Sequence, residues 1–275
     1  MDLNEKTKVL IEALPYIKKY KGKIVVIKFG GNALSEIKSV IGDVILLSHI
    51  GIRPIIVHGG GPEIDKELEK LKIKPKFVKG LRYTDEITIE VVGRVFRKIN
   101  RNILSYIKSH GAKASGLKGC IKAEQKSKEW GLVGEIAGVR KNMILNRINS
   151  GSIVVISPMG IGKNRVKYNI NADTVASSIA VAIGAEKLTI LTNVDGVRIN
   201  GKLLTHIDFD TAKEGIKNGN ISKGMIPKVE ACIYAVKNKC PKAHLINGLV
   251  PHSLLLEIFT DKGIGTEIVY KNGNK

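Results

Sequence analysis

The chain has 275 residues, of which 43% are hydrophobic and 5% aromatic, and its 45 Lys and Arg against 25 Asp and Glu give a net charge of +20. That length allows one large α/β domain or two closely joined lobes, and an apolar share dominated by Ile, Val, Leu and Ala suits buried parallel strands. Lysines spread among Asp and Glu without aromatic interleaving argue against a nucleic-acid binder and for a solvated surface that steers anions, while the polar residues 1–23 and the interruption of the apolar stretch 40–58 by Asp43, His49 and Arg53 argue against an export signal or a membrane span.

In chain order, a helical pattern over residues 4–20 precedes a buried strand at 24–29, which runs through Lys28 and Phe29 into Gly30-Gly31-Asn32-Ala33. Paired glycines at a strand end let backbone N–H groups approach an anion, and Lys28 can reach the same anion. The lysine precedes the glycines and no Lys-Ser/Thr follows, so this is not a Walker A loop. A helix at 35–51 and a strand at 54–58 lead to His58-Gly59-Gly60-Gly61-Pro62 and a helix at 61–71. Three consecutive glycines exceed what a turn needs and suggest a backbone surface that a ligand approaches at the carboxyl end of a parallel sheet; His58 is read as holding this loop. Arg82, in Lys79-Gly80-Leu81-Arg82, offers a guanidinium suited to bidentate carboxylate binding. Thr84 is expected to cap the helix at 86–110. The glycine-rich stretch 114–139 reads as an antiparallel flap, followed by a strand at 152–157.

In Tyr168-Asn169-Ile170-Asn171-Ala172-Asp173, the alternation places Asn169, Asn171 and Asp173 on one side of an extended segment, ahead of a small-residue helix at 172–183. Asp173 is a candidate to bind a metal or to hold two lysines by charge, and helix capping by Asn171 or Asp173 is the plain alternative. Strands at 187–192 and 243–247 and helices at 210–218 and 225–239 complete an alternation that predicts βαβ units. Pro227 fits the first turn of the last helix. That puts Lys228 where a cation is unfavourable unless an anion sits there too, and a phosphate would supply one. Cys120, Cys232 and Cys240 show no paired spacing and are expected as reduced thiols.

Taken in this order, VIKFGGNA, VHGGGPEID, GLRYTD, YNINADT, KGMIPK and LLLEIFTDKGIGT resemble the amino-acid kinase family, and within it the arginine-sensitive branch acting on an acylated glutamate, from Val9 to Ile268. The resemblance implies an α/β fold, a three-layer αβα sandwich about a mainly parallel sheet. It divides the chain into an N-terminal helix at 1–22, an acyl-amino-acid-binding and dimerisation lobe at 23–168 and a nucleotide-binding lobe at 169–275. It implies transfer of the γ-phosphoryl of ATP to the γ-carboxylate of N-acetyl-L-glutamate in arginine biosynthesis. Mg²⁺ would be held mainly by ATP and water, with no metal site in the protein. The compartment implied is the cytoplasm, or the plastid stroma for a plastid-encoded chain.

By the same resemblance Lys28 and Lys228 are the transition-state lysines and Asp173 the carboxylate that orients them. Gly60, Gly61, Arg82 and Asn169 hold the acyl substrate. Gly30 and Gly31 supply backbone donors near the transferred phosphate. Thr192, Asn193, Gly196, Lys223, Gly224 and Met225 lie on the nucleotide side. Tyr16, His244, Glu257 and Gly263 match an arginine effector site, found in members that form homo-oligomers, dimers or hexamers; some members also bind a nitrogen-signalling protein. For Glu257 the plain alternative is a carboxylate facing solvent. The sequence departs from the family at Asn193, where Asp is usual, at Asn247-Gly248-Leu249 for Asp-Gly-Arg, at Lys223 for Gly, and in a shorter flap. Two alternatives stand beside this reading. One is a kinase for glutamate or aminoadipate linked to an acidic carrier protein. The other is a non-catalytic arginine-sensing or protein-binding module, which predicts loss of Lys28, Asp173 or Lys228; all three are present.

Overall fold

The computed structural model describes residues 3–30, 37–260 and 263–269; Gly31 and the expected helix start at 35–36 lie outside these residues. The first half of the chain forms α1 (Leu3–Tyr20), β1 (Ile24–Phe29), α2 (Ile37–His49), β2 (Arg53–His58), α3 (Gly61–Lys70), β3 (Phe77–Val78), β4 (Leu81–Arg82), α4 (Glu86–Ser109), β5 (Ala114–Leu117), β6 (Ile121–Gln125), β7 (Gly134–Val139) and α5 (Lys141–Asn149). The second half forms β8 (Ile153–Ile156), β9 (Met159–Ile161), β10 (Lys167–Asn169), α6 (Ala172–Ile183), β11 (Lys187–Thr192), β12 (Arg198–Ile199), β13 (Lys202–Leu203), β14 (His206–Asp208), α7 (Phe209–Lys217), α8 (Ile226–Lys237), β15 (Lys242–Asn247), α9 (Ser253–Phe259) and β16 (Thr266–Val269).

An 8-stranded sheet, in the order β14-β16-β15-β11-β1-β2-β8-β5, runs through the molecule. Its pairings are parallel except β15 with β16. The strands are apolar on both faces because helices cover both. Alternation splits the core: Val26, Val57 and Ile190 pack toward α5, α6 and α8, while Ile27, Phe29, Ile56 and Leu191 pack toward α2, α4 and α9. Lys28 falls two residues after Val26, so its side chain belongs to the α6–α8 face. None of the helices among the described residues is long and apolar enough to cross a membrane.

The stretch expected as a single flap divides in two. β5 pairs in parallel with β8 as an edge strand of the main sheet, and only β6 and β7 form the antiparallel hairpin, in a separate sheet with β9 and β10. The short segment Ala114–Leu117 carries too little alternation to reveal which sheet it joins.

Candidate functional site

β1 lies between β2 and β11, so chains leave it in both directions across the sheet, the position where open α/β sheets gather ligands at their carboxyl ends. Lys28 is the penultimate residue of that strand, and its side chain is 7% exposed. Its Nζ lies 2.7 Å from Asp173 Oδ1, and Lys228 Nζ lies 3.2 Å from Asp173 Oδ2. One carboxylate therefore bridges two ammonium groups that come from a strand and from a helix 200 residues later in the chain, Lys28 on β1 and Lys228 in the first turn of α8. Burial pushes the Asp173 carboxyl up, but the two lysines together outweigh it and hold it below the ordinary carboxylate range. Burial likewise lowers the Lys28 ammonium, with Asp173 opposing the shift and Lys228 adding to it.

Local chemistry sets this geometry. β10 ends at Asn169, so Asn169, Asn171 and Asp173 do not share one extended segment; the chain turns into α6 after Ile170. Asn171 is the N-cap: its Oδ1 accepts from Asp173 N–H at 2.8 Å and Thr174 N–H at 3.1 Å. The cap thus fixes the backbone of the residue that carries the bridging carboxylate. Pro227 sits in the first turn of α8. An anion does stand beside Lys228, the carboxylate of Asp173.

Two glycine loops meet at the same end of the sheet. Gly59 N–H donates to Phe29 O at 2.7 Å, and a Cβ on Gly30 would come within 2.8 Å of Gly59 Cα. A side chain on Gly60 would strike Ile99 and Phe96. Gly61 has open space where a Cβ would point and begins α3. His58 is fully buried, its Nδ1–H donating to Gly59 O at 2.9 Å, and burial lowers it to about 4. It is a neutral loop anchor, as the sequence suggests.

Arg82 is nearly buried and hydrogen-bonds Asp65 of α3 through Nη1, with Nη2 3.4 Å from Gly61 O and the guanidinium 4.8 Å above the Phe77 ring. Thr84 does not cap α4; Asp85 does, accepting from Thr88 N–H at 2.7 Å. Thr84 is buried instead, donating to Arg82 O at 2.9 Å and accepting from Asn169 Nδ2 at 3.3 Å. Gly61, Arg82 and Asn169 are thereby joined in one hydrogen-bonded network. Asp65 was not foreseen; its place one turn into the helix after the glycine run is the signal that marks it.

On the other side of β1, Thr192 is buried at the end of β11 and its carbonyl accepts from Gly248 N–H at 2.8 Å. Asn193 is exposed. Gly196 has φ +152°, and a Cβ there would meet Thr266 Oγ1 at 2.5 Å. Lys223, Gly224 and Met225 form a single turn directly ahead of α8, with Lys223 at φ 47°. Glycine would adopt that conformation at no steric cost, whereas Lys223 bears the strain of a left-handed backbone.

Tyr16, His244, Glu257 and Gly263 line one pocket with Lys187. Glu257 does not face solvent: it is 5% exposed. Its Oε1 is 2.6 Å from Lys187 Nζ and 2.9 Å from His244 Nε2, and its Oε2 accepts from Ile264 N–H at 2.8 Å. Burial favours the neutral acid, but the His244 hydrogen bond and the Lys187 charge prevail and lower Glu257 to about 2. Lys187 opens a fully buried strand, and nothing in its local sequence marks it as the partner of Glu257.

The profile of the Amino acid kinase family matches residues 23–247. Acetylglutamate kinase of Thermoanaerobacter pseudethanolicus is 49% identical over 277 residues, covering 96% of this chain and 93% of that protein. Acetylglutamate kinase of Methanocaldococcus jannaschii is 45% identical over 292 residues, covering 98% and 97%. Among solved structures, N-acetylglutamate synthase from Neisseria gonorrhoeae, complexed with coenzyme A and N-acetyl-glutamate, superposes with a TM-score of 0.88 at 24% identity; the match covers 97% of this chain and 64% of that one. Carbamate kinase from Giardia lamblia bound to AMP-PNP gives 0.68 at 16% identity, covering 91% of this chain and 99% of that one. At those identities the two structures speak to the fold alone.

Proposed function

The chain belongs to the amino acid kinase family, and on that premise we infer that it transfers the γ-phosphoryl group of ATP to the γ-carboxylate of N-acetyl-L-glutamate, as a step in arginine biosynthesis. The observation that carries this reading is the Lys28–Asp173–Lys228 bridge at the sheet's switch point. Bringing a carboxylate against a polyphosphate sets two anions in contact, so catalysis must come from positioning and charge stabilisation. The acceptor is ionised at neutral pH and needs no general base, in keeping with a His58 held neutral by its loop contact.

The remaining roles follow as proposals. Lys28 and Lys228 release Asp173 in part as the substrates enter and stabilise charge on the transferred group from the two sides of the cleft. Asp173 keeps the two cations close to one another. The network of Gly61, Arg82 and Asn169 receives the acyl amino acid, with Gly30 and Gly31 beside the transferred phosphate, and Arg82 turns from Asp65 toward the α-carboxylate. The loop at Thr192, Asn193 and Gly196 and the turn at Lys223, Gly224 and Met225 border the nucleotide. The sheet is shared between an acyl-substrate lobe, 23–168, and a nucleotide lobe, 169–275, with α1 as a regulatory and oligomerisation helix. Asp173 is engaged by two lysines, and among the described residues no group of three His, Cys, Asp or Glu forms a metal cage. By the family resemblance, Mg²⁺ would arrive on the nucleotide, neutralising phosphate charge and staying largely water-ligated.

The pocket around Glu257 supports feedback by arginine: a guanidinium would compete with Lys187 for the carboxylate. Trapping the acyl phosphate with hydroxylamine, using ATP and a panel of acyl amino acids, tests the activity. Product with N-acetyl-L-glutamate is expected; product only with carrier-linked glutamate would move the assignment to that substrate. Added L-arginine should lower the rate, and an unchanged rate would remove the effector role.

A further inference from the structure

The segment that presents Arg82 is a poor structure on its own. β3 and β4 contribute two residues each and pair only with one another, outside the main sheet. Lys79 and Gly80 close the turn at φ 48° and 79°, the pair of left-handed residues that a tight hairpin requires. An isolated two-stranded hairpin of this size does not hold itself in water, and Arg82 is paired with Phe77 inside it. Asp65 and Gly61 O hold the guanidinium tip, so something else must fix the hairpin backbone that carries it.

We propose that Trp130, the chain's single tryptophan, is the positioning residue that clamps this hairpin and so sets the affinity of the acyl-substrate pocket. Trp130 lies at the tip of the β6–β7 hairpin and its Nε1–H donates to Val78 O at 2.9 Å, across 52 positions of sequence. The ammonium groups of Lys79, from the β3–β4 turn, and Lys126, from its own hairpin, lie 5.5 and 5.7 Å from the centre of its ring. Such cation–π contacts add to the hold of the single hydrogen bond. Lys79 is also within 3.3 Å of Glu129.

The backbone on either side of the indole reaches the rest of the pocket. Thr84 N–H donates to Trp130 O at 3.1 Å and Leu132 N–H donates to Thr84 O. Asn169 N–H donates to Leu132 O at 2.9 Å. Gly131 has φ +66°, and a Cβ there would collide with Thr84 O, so the tip is shaped to lie close against the backbone at Thr84. The tip thereby touches the segments carrying both Arg82 and Asn169, while the nucleotide loops at Thr192 and Lys223 come from other elements. Loss of the clamp should weaken one substrate and spare the other.

This inference rests on the acyl-substrate role given to Arg82. Trp130→Ala should raise KM for N-acetyl-L-glutamate by about 5–20-fold and Trp130→Phe, which keeps the ring and loses the N–H, by about 2–5-fold. KM for ATP and kcat should stay within about twofold of the parent. Equal changes for both substrates, or none, overturn the proposal. Failure of the parent protein to phosphorylate N-acetyl-L-glutamate would instead count against the proposed function. Hydrogen exchange of the amides at 77–83 in Trp130→Phe, read without any substrate, decides the clamp itself. Faster exchange there than in the parent, with the main-sheet amides unchanged, is expected; unaltered exchange overturns it.

Discussion

Lys28 and Lys228 would repel one another were Asp173 not between them, so the bridge is a charge arrangement that substrate entry must reorganise. Each lysine meets the reacting group most strongly when charge spreads over the transferred oxygens. Lys28→Ala and Lys228→Ala should therefore each lower kcat by about 10²–10³ while KM for either substrate moves less than about threefold; steady-state kinetics giving larger changes in KM than in kcat would refute the role. Both lysines were legible in sequence, because a cation near the end of an apolar strand or in a helix's first turn breaks its local pattern, whereas Asp173 is an ordinary acid for a first turn and was marked mainly by the motif around it. Asp65 and Lys187 were not, since their significance lies in partners brought by tertiary packing. His58 makes a second prediction. Its folded value near 4 lies below the ordinary 6.5, so the unfolded chain binds the proton more readily. The stability it contributes is present above pH 6.5 and is lost as pH falls toward 4, by up to about 3 kcal/mol. Denaturant melts across that range should show the loss, and His58→Gln should flatten it.

Helix α9 shows how an element of only seven residues is placed. His252 enters it at φ 58°, its Nδ1 is 2.6 Å from the buried Asp43 of α2, and its N–H donates to Ser39 Oγ at 3.2 Å. The helix then delivers Glu257 to Lys187 on β11. Lys187→Met leaves that buried carboxylate with His244 and one backbone amide, at a cost of about 3 kcal/mol, or roughly 6–12 °C in Tm. The depressed carboxyl of Glu257 adds a pH signature: its stabilisation is present above the ordinary 4.5 and fades as pH falls toward 2. A Lys187→Met variant with parent-like melting would contradict this account. The long strands and helices were evident from periodicity, several to the residue. The segments β9 and β10 were not, because three residues are too few for a period of two to emerge, and α5 was not, because its apolar positions Met143, Ile144, Leu145 and Ile148 span less than two turns. Thr84 was misread for a related reason: Asp85 beside it serves equally well as a cap, and only the fold decides between them.

Across the whole molecule the net charge is +20, opposite in sign to both substrates of the proposed reaction. Steering should therefore be visible in kcat/KM, which is expected to fall several-fold between about 0.05 and 0.5 M salt with kcat little changed; a flat profile would mean that the surface lysines serve solubility alone. Ile11 and Leu14 remain exposed on α1, at 59% and 49%, which supports reading that helix as a contact between copies. The βαβ plan was readable from the alternation of segments, whereas the continuity of one sheet across both proposed lobes was not, since strand order is absent from local pattern. The abutment of Gly30 on Gly59 bears on how the catalyst can change. Its floor is main chain seated on main chain, where directed evolution has no side chain to trim or enlarge. Variants with a new acceptor should thus accumulate their substitutions in the small hairpins overhead, leaving both loops untouched.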